Sequence, residues 1–132
     1  MNPSKAAPPR PTQTELEILR VLWQRGPSSV REVHQIMLET RGAGYTTVLK
    51  LMQLMAQKGL VLRDESQRSH VYRAAAAEAQ TQRRLVGDLM EKAFAGSASQ
   101  LVLRALSLER SSPEELAQIR ALLDGLAAKE SK

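Results

Sequence analysis

Four polar residues at helical spacing, Thr46, Thr47, Lys50 and Gln53, are the side chains of this sequence best suited to chemistry. Together with Gln57, they lie opposite an apolar stripe in the same segment and form a polar face one helix wide. Threonine can hydrogen-bond a base or pack its methyl group against thymine, lysine can reach guanine or phosphate, and glutamine favours adenine. The pattern predicts a helix that reads base edges, with its N-terminal residues deepest in the major groove.

Four further residues are predicted to support contact with nucleic acid. Tyr45 begins the same helix, and Arg68 lies near the tip of a predicted hairpin, where it would reach phosphate or the minor groove. Ser29 and Arg31 start an earlier helix and could hold phosphate through backbone amides and charge. A tip arginine or a polar helix face is, by itself, more often simply solvated. The interpretation therefore depends on the elements that position these residues.

No other group of residues suggests catalysis or a metal site. The two histidines, His34 and His70, lie on separate elements without a third ligand at suitable spacing, and we interpret His34 as a helix-surface residue. The chain has no cysteine, and it contains no phosphate-cradling glycine motif or nucleophile elbow. We therefore expect a protein that is not an enzyme and that binds no cofactor and no metal.

Three helices followed by a hairpin are predicted for residues 12–74. Capping boxes, in which Thr12 pairs with Glu15 and Ser29 with Glu32, begin the first two helices, and the third runs over about residues 45–58. Two short β-prone runs, 60–63 and 70–73, enclose six polar residues and indicate a hairpin. This order of elements is that of a winged helix-turn-helix domain. The preceding residues 1–11 are rich in proline and are expected to be a disordered tail.

Amphipathic helices follow in residues 75–132, the last of them beginning at Ser112-Pro113-Glu114-Glu115. They are too few to bury their own apolar faces, so we expect a homodimer, with packing against the N-terminal domain as the alternative. The fold class is then mainly α with a small β-hairpin: a winged helix-turn-helix and a C-terminal helical dimerisation region. The predicted dimerisation residues are apolar: Leu89, Phe94, Leu101, Leu116, Ile119 and Leu123.

Charge is distributed unevenly along the 132 residues. The net charge is +5, and residues 1–74 hold 11 Lys and Arg against 6 Asp and Glu, whereas residues 75–132 hold 8 of each. Binding to phosphate would account for a basic excess confined to the half that carries the polar helix face. No apolar run is long enough for a signal core or a membrane span, so we expect a cytoplasmic protein with no membrane insertion.

The sequence resembles the BlaI/MecI/CopY family of bacterial repressors from about Pro11 to Leu126. The motifs that carry the resemblance keep their order along the chain: residues 15–23, Val30-Arg31-Glu32-Val33, Tyr45-Thr46-Thr47-Val48-Leu49, Lys58-Gly59-Leu60, His70-Val71-Tyr72 and Ser112-Pro113-Glu114-Glu115-Leu116. The resemblance implies a homodimer held by the C-terminal helices. Each winged domain would read one half of a palindromic operator in double-stranded DNA, with Thr46, Thr47 and Lys50 facing the bases.

The chain also departs from the family pattern. Penicillinase and methicillin-resistance members are released through a membrane metalloprotease sensor pathway, by cleavage between Asn and Phe, where this chain has Arg104-Ala105. Copper-responsive members sense metal through paired cysteines, which are absent here. Leu54 stands where many members carry a basic residue. The resemblance therefore implies repression, while the operator, the regulated genes and the releasing signal stay open.

Two hypotheses follow for the function of the chain. The leading one is a sequence-specific DNA-binding transcriptional repressor that acts as a homodimer on a palindromic operator. The alternative is a winged-helix protein interaction module that does not bind DNA, since the fold alone does not decide between them. The basic excess beside an exposed polar helix face favours the first hypothesis, because an interaction module has no need of it.

Overall fold

The computed structural model describes residues 9–66 and 68–130, and residues 1–8 of the predicted tail lie outside this range. The fold class is confirmed: helices predominate and the β-structure is small. The helices and strands, in chain order, are α1 (Gln13–Arg25), β1 (Ser28–Ser29), α2 (Val30–Arg41), α3 (Tyr45–Lys58), β2 (Val61–Asp64), β3 (Val71–Ala74), α4 (Glu78–Ala93), α5 (Ala98–Leu108) and α6 (Pro113–Glu130).

Both predicted capping boxes are present at the starts of α1 and α2. The Glu15 backbone N–H donates to Thr12 Oγ1 at 3.2 Å, and the Thr12 N–H donates to Glu15 Oε1 at 2.9 Å. Ser29 and Glu32 make the same two hydrogen bonds at 3.2 and 2.9 Å. Each box satisfies amides that a helix start otherwise leaves without partners, so these starts are fixed locally.

The Glu15 carboxylate also makes a long-range contact that the sequence analysis did not find. It is almost completely buried, and Lys58 Nζ at the end of α3 donates to its Oε2 at 2.8 Å. Burial raises the pKa of Glu15, but the hydrogen bonds from Lys58 and Thr12 and the charge of Lys58 lower it more. The carboxylate is therefore held ionised and ties the end of α3 to the start of α1.

A three-stranded antiparallel sheet in the order β1-β3-β2 closes one side of these helices. The hairpin is confirmed, but each strand lies one residue later than predicted. Leu60 takes part in the C-terminal cap that follows α3, since its N–H donates to Met55 O at 2.9 Å while Gly59 is left-handed at φ 83°. The third strand, β1, was missed by sequence reasoning, because its two residues pair with Tyr72 and Val71 and show no alternation of their own.

The core of the N-terminal region lies between α1, α2, α3 and the sheet. Leu16, Trp23, Ile36 and Leu51 are only partly buried and pack against its margin. The Trp23 Nε1–H donates to Ala76 O at 2.9 Å, which holds the segment after the hairpin against α1. The fully or nearly fully buried apolar residues are Ile18, Leu19, Val21, Leu22, Val30, Val33, Met37, Val48, Met52, Met55, Leu60, Val61 and Tyr72.

The chain forms two compact units, the first ending at Leu85 and the second beginning at Val86. None of the described residues in α4, α5 and α6 is buried. The predicted start of α6 is confirmed, since Ser112 accepts from the Glu115 N–H at 3.1 Å and donates its own N–H to Glu115 at 2.9 Å. Among the described helices, none is long and apolar enough to cross a membrane.

Candidate nucleic-acid interface

The α3 helix presents its polar face to solvent, as the sequence pattern predicts. Val48, Met52 and Met55 are completely buried on one side, which leaves the opposite side free of contacts with the core. The predicted base-reading residues are all exposed: Thr46, Thr47, Lys50 and Gln53. The α3 helix is therefore fixed by its apolar stripe while its polar face stays accessible.

The start of α3 carries no side-chain cap. Gly44 is the N-cap residue in extended conformation, and only the helical bond from the Val48 N–H to Gly44 O, at 3.1 Å, closes the first turn. The first amides of the helix therefore lack an acceptor from a capping side chain. Such a helix start, with its partial positive charge, is suited to a phosphate oxygen.

A polar groove beside α3 brings together five of the eight residues predicted to bind DNA. This groove, which we call the wing groove, has a volume of about 450 Å³ and lies between the start of α2, α3 and the hairpin. It does not include Thr46, Thr47 or Lys50, which lie on the exposed face of α3 beyond its lining. The predicted residues that line it are Ser29, Arg31, Tyr45, Gln53 and Arg68.

Arg63 is a lining residue of the wing groove that sequence reasoning missed. It lies on β2 opposite Tyr72 of β3, and it forms an ion pair with Glu65. A hydrogen bond to Tyr72 and the charge of Glu65 raise the pKa of Arg63, so it is always charged. The sequence places Arg63 directly before the polar loop of the hairpin, which could have indicated a role in the wing. Its place in the groove, however, depends on the pairing of β2 with β3.

The wing groove is positively charged. Its described lining includes three arginines, Arg31, Arg63 and Arg68, and no acidic residue. Arg63 is already paired with Glu65, whereas no ion pair among the described residues involves Arg31 or Arg68. The Arg31 and Arg68 guanidinium groups suit the phosphate backbone of nucleic acid, because each can donate two hydrogen bonds to phosphate oxygens. The groove and the α3 face together present charge for phosphate beside polar side chains for bases.

Ser29 lies in the groove, but its polar groups already have partners. Its hydroxyl accepts from the Glu32 N–H, and its own N–H donates to Glu32 Oε1. The hydrogen bond from the Ser29 backbone, and then its hydroxyl and the charge of Arg25, lower the pKa of Glu32. The Ser29 amide is therefore not available to a phosphate, and the predicted role of Ser29 stays a prediction.

The two histidines occupy separate positions in this region. His34 is half-buried on α2 and contacts the Tyr45 ring edge-on, with the ring centres 5.6 Å apart and the planes at 82°. His70 lines the wing groove from the hairpin. Within the described residues, no three His, Cys, Asp or Glu side chains are grouped to hold a metal ion. The Tyr45 ring is thus supported by His34 at the start of α3.

Comparison with known proteins places most of the chain in one family. Residues 11–125 match the sequence profile described as Penicillinase repressor. This range includes the helices α1 to α5 and most of α6, so the match extends over both compact units.

Curated relatives and solved structures are similar to the chain. Transcriptional regulator BlaI of Mycobacterium tuberculosis, from strains CDC 1551 / Oshkosh and ATCC 25618 / H37Rv, is 33% identical over 118 residues, which span 86% of this chain and 83% of that protein. The solution structure of the DNA binding domain of the repressor BlaI superposes with a TM-score of 0.50 at 22% identity, covering 55% of this chain and 89% of that domain. At that identity the superposition supports the winged-helix fold of the N-terminal region.

Proposed function

Because the chain belongs to the penicillinase repressor family, whose similar members are transcriptional regulators and not enzymes, we propose that it represses transcription as a homodimer on a palindromic operator. Each N-terminal unit binds one half of the operator, with α3 in the major groove and the hairpin wing along the adjacent backbone. The C-terminal helices hold the two copies together. A repressor acts where its operator is, so the proposal places the protein in the cytoplasm.

One observation carries the DNA-binding part of the proposal: the exposed face of α3 lies next to a groove lined by three arginines and no acidic residue among its described positions. Thr46, Thr47 and Lys50 are assigned to the bases, and Arg31 and Arg68 to phosphates. Neutralising phosphates releases condensed counterions, which supplies affinity, whereas contacts to base edges supply sequence preference.

The homodimer is supported by the apolar faces of the C-terminal helices. Leu89, Leu116 and Leu123 are 51%, 40% and 53% exposed in the single chain, and Phe94, Leu101 and Ile119 are partly exposed. A monomer that left these faces in water would expose a large contiguous apolar surface, which soluble proteins rarely do. Pairing of two copies about a two-fold axis covers the same faces on both chains.

Release by cleavage at the position that the family cuts is not part of the proposal. Arg104 and Ala105 are exposed, but they lie in the middle of α5 and are not the Asn–Phe pair of the family's cleaved members. A protease binds its substrate as an extended chain, so this helix would have to open first. A sensor pathway that includes a membrane metalloprotease is therefore a partner only by family resemblance.

The rival function, a protein interaction module, is favoured by one observation. Leu54 on α3 is 48% exposed and follows Gln53 directly, one turn after Lys50, where a DNA-binding helix is expected to be polar. An apolar side chain at this position would suit a protein partner better than a phosphate. The two functions differ in whether the basic residues contribute to binding.

Salt dependence of DNA binding by three variants of the full chain tests the proposal. Lys50→Ala and Arg68→Ala should each weaken binding and lower the slope of log K against log salt by about one. Lys129→Ala, an exposed lysine at the end of α6, is the matched control and should change neither quantity. Wild-type affinity and slope in both Lys50→Ala and Arg68→Ala would contradict the assigned contacts.

A further inference from the structure

A second cavity, with a volume of about 420 Å³, lies where the chain passes from the hairpin into α4. All of its lining residues belong to the compact unit that ends at Leu85. The lining is mostly apolar, with Leu19 of α1 and Leu60 after α3 on one side and Leu85 of α4 on the other. We call this cavity the junction pocket.

Hydrogen bonds fix the walls of the junction pocket. The Trp23 indole N–H donates to Ala76 O at 2.9 Å, and the Ala75 N–H donates to Leu60 O at 3.0 Å. Both acceptors belong to lining residues, so the segment between β3 and α4 is held against α1 and the end of α3. The pocket is therefore formed before any ligand arrives, which lowers the entropy cost of binding.

The size and chemistry of the pocket are those of a site for a small molecule. Ligand sites in proteins occupy roughly 300–1,000 Å³ and combine apolar walls with a few polar groups. Here the polar groups are Gln80, Thr81 and Arg84, from the first turns of α4. Arg84 is the one ionisable residue in the described lining, and it takes part in none of the ion pairs among the described residues.

We propose that the junction pocket binds a small organic acid with an apolar body. The Arg84 guanidinium takes the carboxylate, with Thr81 beside it, and the apolar part of the acid contacts Leu19 and Leu60. A guanidinium at the edge of an apolar cavity matches this combination, because it forms paired hydrogen bonds with a carboxylate while the cavity removes apolar surface from water. An inorganic anion would use the charge and leave the apolar walls without a partner.

The proposed ligand site is separate from the wing groove and does not depend on DNA binding. None of its lining residues lines the wing groove. Two of them, Gly59 and Leu60, follow α3 directly, so a bound acid would contact the chain next to the end of the recognition helix.

Calorimetric titration of the full chain with benzoate, 4-phenylbutyrate and decanoate, without DNA, tests the proposal. At least one acid should bind and change the fluorescence of Trp23, the single tryptophan, because its indole is bonded to the pocket wall. Arg84→Gln should weaken that binding at least about tenfold, since it removes a hydrogen bond to a charged group. Arg83→Gln, at the exposed neighbouring position outside the lining, is the matched control and should bind as the wild type does.

A wild-type comparison keeps the test independent of any variant. The neutral alcohol 4-phenylbutanol should bind at least about tenfold more weakly than 4-phenylbutyrate, because it lacks the charge that Arg84 recognises. Equal binding of the acid and the alcohol, or of the acid to Arg84→Gln and wild type, overturns the proposal. Failure of all three acids to bind also overturns it, whether the pocket closes or a second copy fills it. DNA binding, measured separately, distinguishes this result from a failure of the proposed function.

Discussion

The two compact units of the chain differ in where their apolar residues lie. Among its described residues, the unit that ends at Leu85 buries thirteen apolar side chains around α1, α2, α3 and the sheet, whereas no described residue from Val86 onward is buried. Both regions are amphipathic in sequence, so periodicity alone does not separate them. The difference indicates that the first unit is stabilised within one chain, and that the second needs a surface to cover its leucines.

Capping boxes occur at helix starts in both units, but in different surroundings. Capping boxes start α1 and α2 in the first unit and α6 in the second. In the first unit the box at Thr12 joins a buried ion pair between Glu15 and Lys58, whereas Glu115 in the second is exposed. Local sequence thus fixes helix starts in both units, but tertiary packing adds to them only in the first.

The largest expected effect is the loss of a core side chain from α3. Met52 is completely buried, so Met52→Ala should lower the free energy of unfolding by about 2–5 kcal/mol. Leu54→Ala, two residues further on the same helix and half exposed, is the control and should change it by no more than about 0.5 kcal/mol. Urea unfolding followed by Trp23 fluorescence measures both. Equal losses in the two variants would show that α3 is not oriented as described.

A smaller effect is expected on association of the C-terminal helices. Leu123 is 53% exposed in the single chain and is assigned to the dimer interface, so Leu123→Ala should raise the dissociation constant of the dimer at least about tenfold. Leu108, which is 82% exposed and outside the predicted interface, provides the control Leu108→Ala. Sedimentation equilibrium measures the dissociation constant of the dimer in both variants. A wild-type dimer in Leu123→Ala would remove that residue from the interface.

Loss of a helix cap lowers the free energy of unfolding by about 1 kcal/mol, and this loss should distinguish the two units. Thr12→Ala removes the acceptor for the Glu15 N–H and should lower the stability of the first unit by that amount. Ser112→Ala removes the matching acceptor for the Glu115 N–H in the second unit. Only Thr12→Ala should shift the urea transition reported by Trp23. A similar shift in both variants would mean that the units unfold as one.

The smallest expected effect is the loss of stability of the first unit at low pH. The pKa of Glu15 in the folded chain lies below its ordinary value of 4.5, so its ionised form is favoured by folding. This stabilisation is fully present above that ordinary value and is lost as the pH falls through the lowered one. Stability measured from pH 7 to pH 3 should therefore decline more steeply in the wild type than in Glu15→Gln. Parallel curves would contradict the proposed charge pairing with Lys58.

Local signals in the sequence predicted most of the fold. Capping residues act within one helical turn, and the predicted starts at Thr12, Ser29 and Ser112 are confirmed. Strand β1 was missed because its two residues become a strand only through pairing with β3. The Glu15 to Lys58 contact joins residues 43 apart, beyond the reach of any local pattern.

The candidate site was predicted in part for the same reason. The exposed face of α3 follows from helical periodicity, and the four residues predicted to read bases are all accessible. Arg63 was missed, because its place in the wing groove depends on the register that sets it opposite Tyr72. The roles of the residues assigned to DNA and to the dimer interface concern a second molecule, so they stay predictions.

Selection of bound sequences from random double-stranded DNA, by the full chain at about physiological salt, is the most direct test of operator binding by a dimer. A palindrome should be enriched, with half-sites spaced for two α3 helices about one turn of DNA apart. Recovery of no motif by protein that is folded and dimeric would contradict it and favour the protein interaction module.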